Sequence, residues 1–277
     1  MIATGKARVA LITYGSVSRS RGVAVGTAGS GRYSDGPALL NHIPDSFEAV
    51  YGATTVGEYA LVAQRHMHNY GTRPEHLAEI AVAARKHAGL NPHAVFRDPI
   101  VVEDVLNAPL VSSPLHLLDC CIISDGGGAV VLASPEVARN CRKDPIWILG
   151  SSESIAHTSL GKRDFTTSVA RRTGPRAMEY AGVTHDDIDV GMIYDSFTIT
   201  VLITLEDLGF CEKGEGGDFV SGGRIALGGR LPINTDGGGL SSNHPGMRGI
   251  FLLIEAVRQL RGERGDAQVL DCKIALC

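Results

Sequence analysis

No stretch of this chain stays apolar long enough to cross a bilayer, and its start carries no secretory signal pattern. Charge of one sign is also not in excess. Lysine and arginine number 26 against 30 acidic residues, and the net charge of −4 gives no general reason to expect nucleic acid or an acidic membrane surface as partner. The six cysteines (Cys120, Cys121, Cys141, Cys211, Cys272 and Cys277) show neither paired metal spacing nor the framework of a small disulfide scaffold. His66 and His68 alternate near a helix end, as surface histidines do, and His42, His76, His87, His93, His116, His157 and His185 form no motif. No metal site is therefore expected. At 277 residues with 44% hydrophobic and 20% charged side chains, the chain has the composition of a globular protein of one large domain or two, with a reducing cytoplasm as the default setting.

Glycine, in contrast, is plentiful at 34 residues, clustered in discrete loops. The most informative loop runs Asn234-Thr235-Asp236-Gly237-Gly238-Gly239-Leu240-Ser241-Ser242-Asn243-His244-Pro245-Gly246 and leads straight into an apolar helical pattern. Glycine lets backbone approach a ligand closely, and a loop entering a helix exposes free N–H groups. A histidine there can donate to a developing oxyanion or relay a proton near neutral pH. The plainer reading of the same residues is a turn before a core helix.

The rest of the chain alternates helical and extended patterns. Met1 to Lys6 reads as the last turn of a helix, stopped by Gly5, and Ala7 to Tyr14 as a buried strand. Val17 to Asp45 has no periodicity and reads as loop. Helices are expected over Thr55–Asn69, from the Thr72-Arg73-Pro74-Glu75 capping box to about Gly89, and in short form between Asp98 and Asn107. Ser124 to Gly128 reads as a tight loop before a central strand at Ala129–Ala133, with a second strand at Ile146–Leu149. Further on come a helix capped by Thr173 and running to Ala181, and a strand over Ile188–Tyr194. Two more helices follow, Thr198–Leu208 and one marked by Met247, Ile250, Phe251, Ile254, Val257 and Leu260, before a last strand from Lys273 to Leu276. Such alternation predicts an α/β fold with mixed sheets. The boundary falls near the polar link at Asn140–Asp144.

Several of these segments resemble the thiolase superfamily, and within it the sterol-carrier-protein-type thiolases and lipid-transfer thiolase-like proteins. They are Tyr70-Gly71-Thr72 through His87, Asn91-Pro92 and the run to Asp104-Val105, Leu118-Asp119-Cys120-Cys121-Ile122-Ile123-Ser124-Asp125-Gly126, Tyr194-Asp195-Ser196-Phe197 and Asn243-His244-Pro245. They span nearly the whole chain in the family's order. The resemblance implies two related α/β halves, each with a mixed five-stranded sheet, plus a helical loop domain. Residues 1–140 would then be the remainder of the N-terminal half, with the loop domain at about 17–118. Residues 141–277 would be the C-terminal half, and the chain would be truncated at both ends.

The family makes or cleaves carbon–carbon bonds next to acyl thioesters, and the resemblance implies an acyltransferase of the acetyl-CoA acetyltransferase kind. Coenzyme A thioester is the expected substrate, with no covalently bound cofactor. His244 matches the histidine of the family's Gly-His-Pro box, an oxyanion donor and proton relay. Around it Gly238, Gly239, Ser241, Ser242 and Asn243 are the substrate-binding candidates. Tyr194 stands where the family has Asn or His to position a water; related proteins with tyrosine there resemble retro-aldolases that cleave steroid side-chain thioesters. A tyrosine packed at a strand end is the plainer alternative, with Asp195 at a helix N-terminus. Cys277 ends a strand that often carries the family's proton-transferring cysteine. The acyl-accepting cysteine would lie upstream of Met1, and none of the six present replaces it, which leaves open a non-catalytic acyl-CoA- or lipid-binding subunit. A lyase working by acid–base chemistry needs no such cysteine. The implied partners are acyl-CoA or sterol-CoA, a homodimer or homotetramer, and a small OB-fold protein.

Overall fold

The computed structural model describes residues 1–22, 54–156 and 164–277. In chain order the elements are β1 (Val9–Val17), α1 (Thr55–Tyr70), α2 (Pro74–Gly89), α3 (Val102–Leu106), β2 (Leu110–Ser112), β3 (Leu115–His116), β4 (Asp125–Ala133), α4 (Pro135–Ala138), α5 (Ala170–Ala181), β5 (Val190–Gly191), α6 (Thr198–Leu208), α7 (Gly216–Val220), α8 (Gly249–Leu260) and β6 (Ala275–Leu276). The loop read over Val17 to Asp45 lies outside the described residues from position 23 on, as do His42 and His157.

One apolar core joins the helices after position 54 to the second half of the sequence. Val56, Ala60 and Ala63 of α1 and Leu77, Ile80 and Ala84 of α2 pack with Ile199, Leu202 and Leu205 of α6, Phe219 of α7, and Ile225, Leu231, Ile233 and Leu240. Tyr59 lies against Phe197 with ring centroids 4.4 Å apart. Each fully buried aliphatic side chain in such a core contributes about 1.5–3 kcal/mol, so the helices of the N-terminal half are held directly on α6 and on the glycine loop. The first of these helices is capped as its sequence dictates. Thr54 accepts from the Gly57 amide at 3.2 Å to start α1, and Gly71 ends it with φ at +72°.

The α/β content agrees with the sequence, but the sheets are small. Among the described residues β1 pairs antiparallel with β4, β2 with β3, and β5 runs parallel to β6, each as a two-stranded sheet rather than the five-stranded sheets the resemblance implies. Ile146–Leu149, expected as a strand, pairs with nothing described, and Trp147, Ile148 and Leu149 lie exposed; an apolar run becomes a strand only where a ladder partner exists. The glycines expected as a tight loop are instead part of β4. A Cβ on Gly127 would meet the Tyr14 carbonyl oxygen at 2.9 Å and one on Gly128 would meet Ile254 Cδ1 at 2.6 Å. Glycine there lets β4 lie close to β1 on one side and to α8 on the other. Thr173, expected as a cap, sits inside α5 together with Pro175, because the helix begins a turn earlier.

Candidate active site

Tyr194 and His244, 50 positions apart, meet. The strand expected over Ile188–Tyr194 is confined to Val190–Gly191, and Tyr194 follows β5 after a short segment held by Asn234, whose side chain accepts from the Ile193 amide at 2.8 Å and donates to the Ile193 carbonyl at 2.7 Å. The glycine loop delivers His244. Gly238–Ser242 form a single π-helical turn, in which the Ser242 amide reaches back to the Gly237 carbonyl and the Asn243 amide to that of Gly238. Gly237 enters the turn at φ +100° with its α-carbon face against Ala88 of α2, which leaves no room for a side chain. The Tyr194 phenol oxygen then lies 2.9 Å from His244 Nε2, and the two rings stack at 29° with centroids 5.7 Å apart.

The electrostatics hold both rings neutral. Burial, reinforced by the Arg248 cation, lowers the His244 pKa to about 4. Burial also pushes the Tyr194 phenol above its ordinary value, with Cys121, Tyr59 and Asp195 adding to the shift. Tyr194 keeps an exposed side at 37% relative accessibility, whereas His244 is covered except for its edge toward the phenol. The pair is a protonated phenol backed by a neutral imidazole, able to pass a proton in either direction. The His244 backbone is pinned in turn, its amide donating to Ser124 Oγ at 2.9 Å.

Asp195 is not at a helix N-terminus, because α6 begins at Thr198 after Phe197. It is fully buried under the glycine loop, where it accepts from the Gly239 amide at 2.7 Å and the Leu240 amide at 3.3 Å. Those amides therefore serve the loop's own shape. Ser241 Oγ accepts from Arg85 Nε at 2.8 Å and Ser242 Oγ from Asn91 Nδ2 at 3.2 Å, so both hydroxyls tie the loop to α2 and to the residues just after it. Asn243 is the member of the group that faces open space, lining a cavity of about 390 Å³ with Asn91, His93, Asp236 and Arg258.

Cys277 follows β6, which pairs with β5 shortly before Tyr194, with the Met192 amide donating to the Leu276 carbonyl at 2.7 Å. It is exposed and makes no described bond to Tyr194 or His244. Burial pushes the thiols of Cys120, Cys121 and Cys211 up to about 12, far from the thiolate an acyl-accepting cysteine needs.

Sequence reasoning missed Arg248, whose only signal was its place four residues after His244. It also placed His66 at the surface. His66 is completely buried, with Nε2 2.8 Å from Glu206 and Nδ1 2.8 Å from Thr72. Thr72 is thereby diverted from the cap expected of it, and α2 starts from Arg73 instead.

The family described as "Thiolase C-terminal domain-like" matches residues 152–277. The chain is 39% identical over 243 residues to acetyl-CoA acetyltransferase of Methanothermobacter thermautotrophicus, covering 87% of this chain and 63% of that protein. It is 38% identical over 270 residues to the steroid side-chain-cleaving aldolase of Thermomonospora curvata, covering 94% and 68%. Human sterol carrier protein 2 is 34% identical over 230 residues, or 79% of this chain and 41% of that protein. Among solved structures, the Ltp2-ChsH2(DUF35) aldolase superposes with a TM-score of 0.84 at 33% identity, covering 99% of this chain and 70% of that one. The chain thus spans about two thirds or less of the length of these curated relatives. With its thiolase-like fold and the Tyr194–His244 pair at the meeting of strand and glycine loop, the chain belongs to the thiolase superfamily, in its sterol-carrier-protein-type branch.

Proposed function

We propose that this chain carries the acid–base centre of a lyase that cleaves the carbon–carbon bond of a β-hydroxyacyl-CoA thioester by a retro-aldol reaction. The observation that carries this reading is the 2.9 Å contact between the Tyr194 phenol and a neutral, buried His244. The substrate hydroxyl gives its proton to the Tyr194 oxygen while Tyr194 gives its own to His244 Nε2. The bond between the α- and β-carbons breaks, its electron pair passes into the thioester as an enolate, and the β-carbon leaves as a carbonyl compound. The imidazolium then returns the proton through the phenol to the α-carbon, which releases the shortened acyl-CoA. An imidazole held near pKa 4 gives up that proton readily, and a phenol whose pKa is raised stays protonated between turnovers. No acyl-enzyme is needed, which suits a site whose neighbouring thiols are held protonated. The similarity to two aldolases supports the same reading.

Gly238, Gly239, Ser241 and Ser242 would act here as the wall of the site, with Asn243 as the group that meets substrate. A coenzyme A thioester is the only small molecule the reaction requires. A homodimer or homotetramer, a small OB-fold partner and a cytoplasmic setting remain part of the proposal. Among the described residues no helix is long and apolar enough to cross a membrane.

The alternative is the acyltransferase chemistry of the acetyl-CoA acetyltransferases, favoured by the 39% identity to one of them and by the ladder that brings Cys277 alongside the strand to Tyr194. Turnover of a β-hydroxyacyl-CoA by the Tyr194→Phe and His244→Ala variants tests the choice. The lyase reading expects kcat to fall by about 10²–10⁴-fold in each, the range for loss of a positioned acid–base group. Cleavage within threefold of the parent in the Tyr194→Phe protein would rule it out.

A further inference from the structure

Arg248 is among the largest fully buried side chains of the molecule, and all its donor groups point at the glycine loop or at the residue beside Tyr194. One terminal nitrogen meets both carboxylate oxygens of Asp236 at the start of the loop, at 2.6 Å to Oδ1. The other donates to the Asn243 carbonyl at 3.1 Å and to Asn243 Oδ1 at 3.0 Å, immediately before His244. Nε faces Asp195 Oδ1 at 3.5 Å. Asp195 in turn grips the middle of the loop through the Gly239 and Leu240 amides. Gly239 is caught between the two halves of the site: a Cβ there would fall 3.0 Å from Asp195 Oδ1 and 3.2 Å from His244 Cδ2.

We propose that Arg248 and Asp195 form a clamp that sets the separation of Tyr194 and His244, acting as positioning residues for the proton relay. The inference rests on the lyase reading for its effect on turnover and on geometry alone for its effect on the imidazole. Asp195 is covalently next to Tyr194, and Arg248 holds both ends of the loop that carries His244. The distance between the two reacting rings is therefore fixed by the buried Arg248 with its two carboxylates, Asp236 and Asp195, and by their hydrogen bonds to the loop rather than by loop stiffness. A buried guanidinium fork suits this task because its donors are planar and fixed relative to one another, which an ammonium group cannot match.

The clamp also sets the charge felt by the imidazole. The charged and titratable groups around His244 are Arg248, Asp195 and Asp236 on and under the loop, Tyr194 after β5, and Cys121 beside the phenol. Arg248 repels a proton on His244, whereas burial raises the Asp195 carboxyl to about 6, so that it is already protonated where the imidazole titrates near 4. Removing the Arg248 charge should therefore raise the His244 midpoint, while Asp195→Asn replaces a group that is already neutral at that pH and should leave the midpoint in place. A role in mere structural support predicts otherwise: loosening the loop by either route would let in water and carry the imidazole upward toward 6.5.

The experiment is an NMR titration of the full chain labelled with ¹⁵N,¹³C-histidine, without substrate, comparing the parent with Arg248→Met and Asp195→Asn. Arg248→Met should raise the His244 midpoint by about one unit, and Asp195→Asn should hold it at the parent value. Turnover supplies a second reading through Arg248→Lys, which keeps the charge and loses the fork. Its kcat should fall at least about tenfold with KM within threefold, since the interaction lost serves the transition state, and its His244 midpoint should stay low. Midpoints that rise in both charge variants, or that move in neither, overturn the clamp. If Arg248→Met does not fold, the decision passes to the other two variants: an upward shift in Asp195→Asn, or full kcat in Arg248→Lys, overturns it. Because the titration needs no substrate, a parent protein without lyase activity would refute the functional reading while the midpoints still decide the clamp.

Discussion

Acidification should weaken this fold through two particular histidines, and His87 allows the effect to be isolated. His87 lies on α2 with Nδ1 donating to the Asn234 carbonyl at 3.2 Å and Nε2 accepting from the Leu227 amide at 3.0 Å, an arrangement that only the neutral ring satisfies. Burial lowers its pKa to about 4, as it does for His244. Between pH 6.5 and 4 the unfolded chain binds protons at these two positions that the folded chain refuses, so stability falls as the pH falls through that window. A displacement from 6.5 to about 4 corresponds to about 3 kcal/mol for each ring at about 1.4 kcal/mol per unit. Asp195 works the other way. Its folded pKa is raised to about 6 by burial, so it costs stability at neutral pH, and that cost of about 3 kcal/mol is relieved as the pH drops below 6. Subtracting a His87→Gln variant cancels the His244 and Asp195 contributions. Glutamine can donate to Asn234 and accept from Leu227, yet it does not titrate. Urea unfolding followed by circular dichroism at pH 7 and pH 4.5 should show the parent losing about 2–3 kcal/mol more than the variant over that interval. Parallel pH dependences in the two proteins would refute the argument that His87 is held neutral by its surroundings.

Two further perturbations follow from close contacts. Gly239→Ala should lower kcat for β-hydroxyacyl-CoA cleavage more than it lowers stability, because its Cβ would press on His244 and Asp195 together; overpacking of this kind costs about 1–3 kcal/mol by thermal unfolding, and full activity would show that the loop can shift freely. Glu206→Ala should lower Tm by roughly 10 °C. The carboxylate is buried between His66, Lys213 and the Gly214 and Gly216 amides, and removing it leaves charge and donors unpaired at about 3–5 kcal/mol. A change of Tm under about 3 °C would mean that this network adds little.

Most of the helices were legible in the sequence because their signals are local. Thr198–Leu208 has an apolar pattern closed by Gly209, and α6 occupies those residues with Gly209 at φ +87°. The meeting of Tyr194 and His244 came from motif order rather than from periodicity. The strands were less legible. Ser124–Gly128 carries turn residues in sequence and lies in or against β4 in the structure, because what decides there is the room between β1 and α8. Ile146–Leu149 has a strand's composition and lacks a ladder partner among the described residues. Buried charge was the least visible feature. Nothing in the letters around Asp195, Arg248 or His66 distinguishes them from surface residues, since each is made tolerable by charged or backbone partners distant in sequence, up to 140 positions away for His66 and Glu206.

In the proposed reaction Tyr194 and His244 move the proton without a cysteine acyl-enzyme. The most direct measurement is to incubate the chain with a β-hydroxyacyl-CoA and read product formation and intact protein mass in the same sample. Release of the carbonyl product and shortened acyl-CoA, with the protein mass unchanged throughout, is the predicted result. An acyl group added to the protein and mapped to a cysteine, or no cleavage by a sample shown to be folded, would contradict it.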